Sequence, residues 1–367
     1  MASVKKILLL HLYSNGDCLY ATTIAKQIKT DYPGCHLSWA IASFCKNIIT
    51  NNPYVDEILI VDSVKKNDVT AFRKLKKEFY LQNKYDEIFI TQNMEANQAF
   101  YDGSTRSNVL RAYPHKITVP VTPVLRLTQA EIATAQQFAL QHRLSDYKNV
   151  ILFEYAPQSG QSKITKEFAV RVAEDLTKNG DVAVVLSSAN KINSAHKAII
   201  DGSVLTMRET AALTHYCTFL LGTTSGITWL STSDAAKQLP MLQLFTPYTR
   251  YENPVSRDFK RFNLSADGLI EILQLNEKQI VECVNLALQN FPEAKQKYNQ
   301  SIPLHFKTTR SIVYNLLCYL QFNAILTHIK VNREVYGNNP LFYKEVFVGF
   351  ITFPFKLVSN LVTKRFK

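Results

Sequence analysis

The reading of the fold turns on "KILLLHLYSNGDCLYATTIAKQIKTDYPGCHLSWAIA" (6–42). It opens on an apolar run, 6–12, which has the length of a strand buried on both faces. Residues 18–32 then space their apolar positions as a helix does, and "LSWAIA" (37–42) is a second strand. Strand, helix and strand in succession make a βαβ unit, which implies a parallel sheet. Between the first strand and its helix stands "SNGD" (14–17). A strand ending at Leu12 or Tyr13 delivers it to the carboxyl edge of the sheet, where open α/β sheets bind ligands. Asn15 and Gly16 suit a tight turn or a close ligand approach. Asp17 has two readings at that place. It caps the helix, satisfying free N–H groups, or it is a base aimed into a cleft.

The alternation runs on through strands "EILIVD" (57–62) and "DEIFITQ" (86–92), with a helical pattern over 69–83 between them. Residues 114–128 hold three prolines and no helical period, and a helix follows over 129–144. The series then restarts with strand "NVILFEY" (149–155), helix 166–180, strand "VAVVLSS" (182–188), helix 208–216, strand "TFLLG" (218–222), a helix opening near Ser225 and strand "MLQLF" (241–245). A chain of 367 residues suits two domains rather than one core. The expectation is two similar α/β domains, 1–147 and 148–300, with a cleft at the carboxyl ends of their strands.

Hydrophobic residues at 46% and charged residues at 20% describe a globular protein. A formal net charge of +12 favours nucleotide phosphates, anionic lipids or nucleic acid as partners. Nucleic acid is not expected, because no basic motif is interleaved with aromatics. None of the six cysteines forms a C-x-x-C pair, and most sit in apolar stretches, as small core residues of a reducing compartment do. "ILLLHL" (7–12) is too short for a secretory signal, and no apolar run reaches about 20 residues. These features point to a cytoplasmic protein.

The usual glycine-rich phosphate loops are missing. No G-x-G-x-x-G follows the first strand and no G-x-x-x-x-G-K-[ST] occurs, which counts against a dinucleotide oxidoreductase and a P-loop enzyme. No D-x-D pair is present to hold a metal-bound diphosphate. A diphosphate would then be met by lysines and helix N-termini. "GTTSGITWL" (222–230) offers a terminus, with Thr223, Thr224 and Ser225 before Gly226; the same residues also make an ordinary capped helix. "PQSGQSK" (157–163) ends in Lys163, a phosphate ligand or a solvated lysine.

With both halves in view, the chain resembles the lipopolysaccharide heptosyltransferase family of bacterial glycosyltransferases, from about Lys6 to Leu288. Four stretches carry the resemblance: "NGDCLYATTIAKQIKTDYPGCHLSWAI" (15–41), "NNPYVDEILIVD" (51–62), "SKITKEFAVRVAEDL" (162–176) and "MRETAALTHYCTFLLGTTSGITWLS" (207–231). The resemblance implies a GT-B fold, two Rossmann-like α/β domains facing a central cleft. It implies inverting, metal-independent transfer of heptose or another sugar from a nucleotide-diphosphate sugar, with no cofactor, to a lipid-linked or oligosaccharide acceptor of a surface glycan. Asp17 takes the place of the family's general base, supported by Asn15 and Gly16. Lys163 takes that of a donor-phosphate lysine. Thr224, Ser225, Gly226 and Ile227 take that of the S/T-G loop on the diphosphate. Two positions depart from the family. Thr224 stands where it usually has aspartate, and Trp229 where it usually has histidine, which leaves the sugar open. A non-catalytic nucleotide-sugar-binding or membrane scaffold protein and a nucleotide-sugar epimerase of the same architecture are the alternatives.

Residues 301–367 lie outside the resemblance. "SIVYNLLCYLQFNAILTHIK" (311–330) reads as core-packed helix. "EVFVGFITFPFKLVSNLVTKRFK" (345–367) mixes phenylalanines and lysines. It suits a helix closing the core or one lying on an anionic membrane surface at the cytoplasmic face of the inner membrane.

Overall fold

The computed structural model describes residues 4–156, 164–246, 254–273 and 275–365, with side chains described as far as 358. In chain order the elements begin with β1 (Lys6–Leu10), α1 (Asn15–Asp31), β2 (His36–Ile41), α2 (Lys46–Ile49), β3 (Glu57–Ile60), α3 (Val69–Leu81), β4 (Glu87–Ile90) and α4 (Thr105–Arg111). There follow α5 (Gln129–Gln141), β5 (Asn149–Ala156), α6 (Lys166–Thr177), β6 (Val182–Ser188), β7 (Ile199–Asp201), α7 (Met207–Leu213), β8 (Phe219–Gly222) and α8 (Gly226–Leu230). The rest are β9 (Met241–Leu244), α9 (Val255–Arg261), β10 (Leu269–Ile272), α10 (Glu277–Gln289), α11 (Phe291–Tyr298), α12 (Lys307–Cys318), α13 (Phe322–Tyr336) and α14 (Pro340–Arg365).

These elements form two units, each around its own parallel sheet. Unit 1 holds Met1–Lys46, Tyr54–Val119 and Pro303–Lys367, and its strands lie in the order β3-β2-β1-β4. Unit 2 holds Asn47–Pro53 and Pro120–Ile302, with strand order β10-β9-β8-β5-β6-β7. Every paired strand is parallel. The central strands carry unbroken apolar runs because helices cover both faces: Ile7 to Leu10 of β1 and Ile151 to Phe153 of β5 are fully buried. Both units are Rossmann-like, and the expected α/β architecture stands.

Two segments fall elsewhere than the sequence suggested. Residues 120–147, expected with the first domain, belong with unit 2. Asp234 accepts a hydrogen bond from the Leu125 backbone N–H at 2.8 Å, and Asn52 donates to the Val124 carbonyl at 3.2 Å. At the centre of this tie is Arg208, which is 3% exposed. Its guanidinium pairs with Glu131 at 2.5 Å and donates to the carbonyls of Asn47 (3.0 Å), Thr50 (3.3 Å) and Arg126. Glu131 also closes a capping box with Thr128 at the head of α5. Arg208→Ala therefore leaves a carboxylate and three carbonyls short of donors. It is expected to destabilise unit 2 by about 3 kcal/mol, the low end for a broken buried pair because Glu131 keeps some solvent. Urea unfolding followed by tryptophan fluorescence at Trp229 reads the loss.

Residues 303–367, expected as an appended tail, return to unit 1. Phe306, Ile312, Val313, Leu316, Ile325 and Phe342 share one core cluster with Ala99 and Tyr101. Polar groups close the seam: Asn332 donates to the Tyr101 carbonyl at 3.0 Å, Tyr336 to that of Asp102 at 2.5 Å, and His328 meets the Ala99 carbonyl at 3.2 Å. Burial holds His328 neutral, pushing it down to about 4. The core expectation for 311–330 is thus met by packing against the 95–102 segment.

Candidate functional site

Unit 1 reverses its strand order between β1 and β4, since β2 and β3 lie on one side of β1 and β4 on the other. Loops leaving the carboxyl ends of two such strands diverge and leave a crevice, which is where open α/β sheets bind ligands. The β1 exit, Leu12–Ser14, is fastened there by Gln92, just beyond β4. The Gln92 amide oxygen accepts from the backbone N–H of Leu12 (2.8 Å) and of Tyr13 (3.1 Å), and its amide nitrogen donates to the Tyr13 carbonyl (2.6 Å). Tyr13 donates its hydroxyl to the Lys65 carbonyl at 2.9 Å, drawing the 62–68 loop to the same edge.

Helix α1 then starts at Asn15, three residues earlier than the apolar spacing suggested. The N-cap position belongs to Ser14, with extended backbone and no side-chain cap bond. Asp17 is therefore not the cap, and Asn15 and Gly16 are not a turn; they are the first two helical residues. Gly16 has no left-handed backbone, and a Cβ there would meet nothing within 4 Å. Asp17 sits in the first turn and accepts from the Ser14 backbone N–H, half of a capping box. It is partly buried. Burial pushes its carboxyl up to about 7, against the opposing pull of the Lys66 charge and of the Ser14 N–H. His11, at the end of the same strand, is fully buried, bonds Thr91 at 2.9 Å and is held neutral by burial, down to about 3. Burial thus moves the Asp17 carboxyl toward neutral pH and the His11 imidazole away from it.

Unit 2 reverses its order between β5 and β8. The loop 223–225 leaves β8 there, and it is built under constraint. Thr224 adopts a left-handed backbone, φ 56°, uncommon for a β-branched residue. Gln243 of β9 holds the turn, accepting from the Thr224 N–H at 2.7 Å and from the Thr228 hydroxyl at 3.1 Å. Gly222 leaves room for that arrangement, since a Cβ would lie 3.0 Å from the Gln243 amide and 3.2 Å from the Thr228 hydroxyl, and both side chains would have to give way. Ser225 caps α8 by accepting from the Ile227 N–H at 3.2 Å. Its hydroxyl donates in turn to Glu154 at the end of β5. Glu154 is 5% exposed, and burial pushes its carboxyl up to about 8. The head of α8 is thus already faced by the chain's own acid.

Of the residues singled out from sequence, Asn15, Gly16 and Asp17 stand together on unit 1, and Thr224, Ser225, Gly226 and Ile227 stand together on unit 2. Lys163 lies outside the described residues. Trp229 packs edge-on to Phe259 of α9, ring centroids 5.9 Å apart. Gln92, Gln243 and Glu154 were not foreseen. Gln92 follows β4 and Glu154 lies near the end of β5, strands that flank the two reversal points, while Gln243 lies in β9 next to β8; strand order is not written in local sequence. Among the described residues no cluster of three His, Cys, Asp or Glu could hold a metal ion.

Solved structures share the fold. The chain superposes on a glycosyl transferase family 9 structure from Veillonella parvula with TM-score 0.56 and 16% identity, over 79% of this chain and 99% of that one. Against the ADP-heptose lipopolysaccharide heptosyltransferase II of E. coli the values are 0.52 and 14%, over 78% and 99%. A putative UDP-N-acetylglucosamine 2-epimerase from Listeria monocytogenes aligns with TM-score 0.51 and 10% identity, over 86% and 97%. No protein-family model and no curated protein matches the chain by sequence. The architecture is that of the GT-B glycosyltransferases, as the resemblance implied, and the epimerase has it too.

Proposed function

We propose that the protein is an inverting glycosyltransferase that moves a sugar from a nucleotide-diphosphate donor to a hydroxyl of a surface-glycan acceptor, with Asp17 as general base. One observation carries this reading: a carboxyl at the reversal point of the first sheet, partly buried and raised to about 7. An exposed aspartate, pKa near 3.9, is ionised but a weak base; one near 7 matches the operating pH. The acceptor oxygen attacks the anomeric carbon as Asp17 takes its proton. The bond to the diphosphate breaks from the opposite face, and the nucleoside diphosphate leaves. Lys66, whose charge reaches Asp17, favours the ionised form that accepts the proton. On the donor side the loop at 223–227 and Lys163 are the groups proposed to face the diphosphate, with neither a metal nor a cofactor needed for its charge. Glu154 in its neutral form leaves that loop free of an opposing charge; once ionised it repels phosphate. Heptose, the donor sugar named for the E. coli relative, is one option here. Thr224 and Trp229, at places the family gives to aspartate and histidine, favour a different donor.

A thermal-shift screen that includes ADP-heptose and UDP-N-acetylglucosamine tests the donor half of this reading. A cognate donor at about 100 times its Kd adds about 2.7 kcal/mol to the folded state. The melting temperature is expected to rise for at least one nucleotide sugar, equally in Asp17→Asn, and less above pH 8. Flat melting curves for every nucleotide sugar would remove the donor site.

The epimerase shares the fold, so transfer and epimerisation are separated by their products and not by architecture. An epimerase converts the donor sugar with no acceptor present.

A further inference from the structure

Helix α14 has two apolar faces, and among its described side chains, as far as Val358, one is covered and the other open. Phe342, Val346 and Gly349 are buried against the rest of unit 1. Gly349 lies so close to α12 that a Cβ there would stand 2.9 Å from the Val313 Cβ. Arg310 of α12 pairs with Glu345 at 2.9 Å on the same seam. These contacts fix the rotation of the helix. The opposite stripe, Leu341, Lys344, Phe347, Ile351, Phe355 and Val358, steps by three or four residues and is exposed, Phe347 to 64% and Phe355 to 74%. A helix apolar all round is ordinarily buried all round, and soluble proteins seldom leave such a stripe open to water.

Charge decides what covers it. Residues 303–367 carry nine lysines and arginines and two acids, and one of those acids, Glu345, is engaged by Arg310. Lys344 is exposed on this stripe, whereas Lys356, seven residues on from Gly349, stands on the seam side with its ammonium 5.2 Å from the centre of the Tyr314 ring of α12. A second copy of the chain would bring two segments of the same positive net charge together. We propose that this face of α14 lies on an anionic lipid bilayer, its phenylalanines at the acyl–headgroup boundary and Lys344 at lipid phosphate. The helix lies in the plane of the surface, since no helix of the described residues is long and apolar enough to cross a membrane. The seam at Gly349 makes α14 an integral part of unit 1, so the unit that carries Asp17 is the one held at the lipid. The proposal does not depend on glycosyl transfer.

Sedimentation of the full chain with phosphatidylcholine–phosphatidylglycerol vesicles, against phosphatidylcholine alone, tests it. The chain is expected to bind the anionic vesicles, and less so as salt rises. Phe347→Glu with Phe355→Glu is expected to lower binding about ten-fold or more. Lys344→Gln, which keeps the apolar residues of the stripe, lowers it about five-fold. Asp17→Asn binds as the parent does, so a failure of the catalytic reading leaves this result untouched. The idea is overturned if the parent chain stays in the supernatant, if the glutamate pair sediments undiminished, or if the same substitutions instead dissolve a dimer in lipid-free buffer.

Discussion

Asp17→Asn is expected to lower acceptor-dependent turnover by about 10²–10⁴, the usual weight of a positioned general base. The amide keeps the size of the side chain and an oxygen for the Ser14 N–H, so α1 retains its start and the fold is preserved. What is lost is the lone pair that takes the acceptor proton. The parent's pH profile identifies the same group. Only the ionised carboxylate serves, so the rate rises with pH, turns over near pH 7 and is level from there to about pH 8, where Glu154 begins to ionise. In Asp17→Asn the residual rate lacks that limb. A variant within a few-fold of the parent, or a parent profile flat between pH 5 and 8, would assign the chemistry elsewhere and leave Asp17 as half of a capping box.

Glu154→Gln has the second large effect, on stability rather than rate. The folded state holds the Glu154 proton up to about pH 8, while the unfolded chain releases it near the ordinary glutamate value. Between about pH 4.5 and 8 the folded state therefore binds one proton more, and stability falls as pH rises, by at most about 1.4 kcal/mol per pH unit. Above pH 8 both states are ionised and the slope vanishes. Glutamine still accepts from Ser225 and has no proton to lose, so this slope disappears and the variant exceeds the parent by several kcal/mol at pH 8. Asp17 acts in the same direction over a narrower window and is common to both proteins, so the difference between them isolates Glu154. Urea midpoints from pH 5 to 9 read it. Parallel curves for the two proteins would mean that Glu154 is ionised throughout, and the buried pair would then be an ordinary charged N-cap contact.

Much of the fold was legible because the strands announce themselves. "KILLLHL", "NVILFEY" and "VAVVLSS" are continuous apolar runs, as parallel strands covered on both faces must be. The short strands β7 and β10, three and four residues long, left no such trace. Nor did the return of α12–α14 to unit 1, because an apolar helix looks the same whichever core it joins. The start of α1 was misplaced by three residues for a local reason. Asn15, Gly16 and Asp17 are poor helix formers, and it is the carboxylate of Asp17 on the Ser14 N–H, with the clasp on Leu12 from Gln92, 80 residues on and just beyond β4, that lets the helix begin among them. At the second reversal point, "GTTSGITWL" marked the loop but not its neighbour. Nothing near Glu154 in sequence says that β5 and β8 lie side by side, and so the acid facing the head of α8 came only from the topology.

The most direct measurement follows nucleoside diphosphate release from a nucleotide sugar that the folded protein binds, with and without a lipopolysaccharide-core-type acceptor. Transfer with Asp17 as base predicts release only when acceptor is present, one diphosphate for each sugar joined. Conversion of the donor sugar in the absence of acceptor, or binding with no release under either condition, would contradict it.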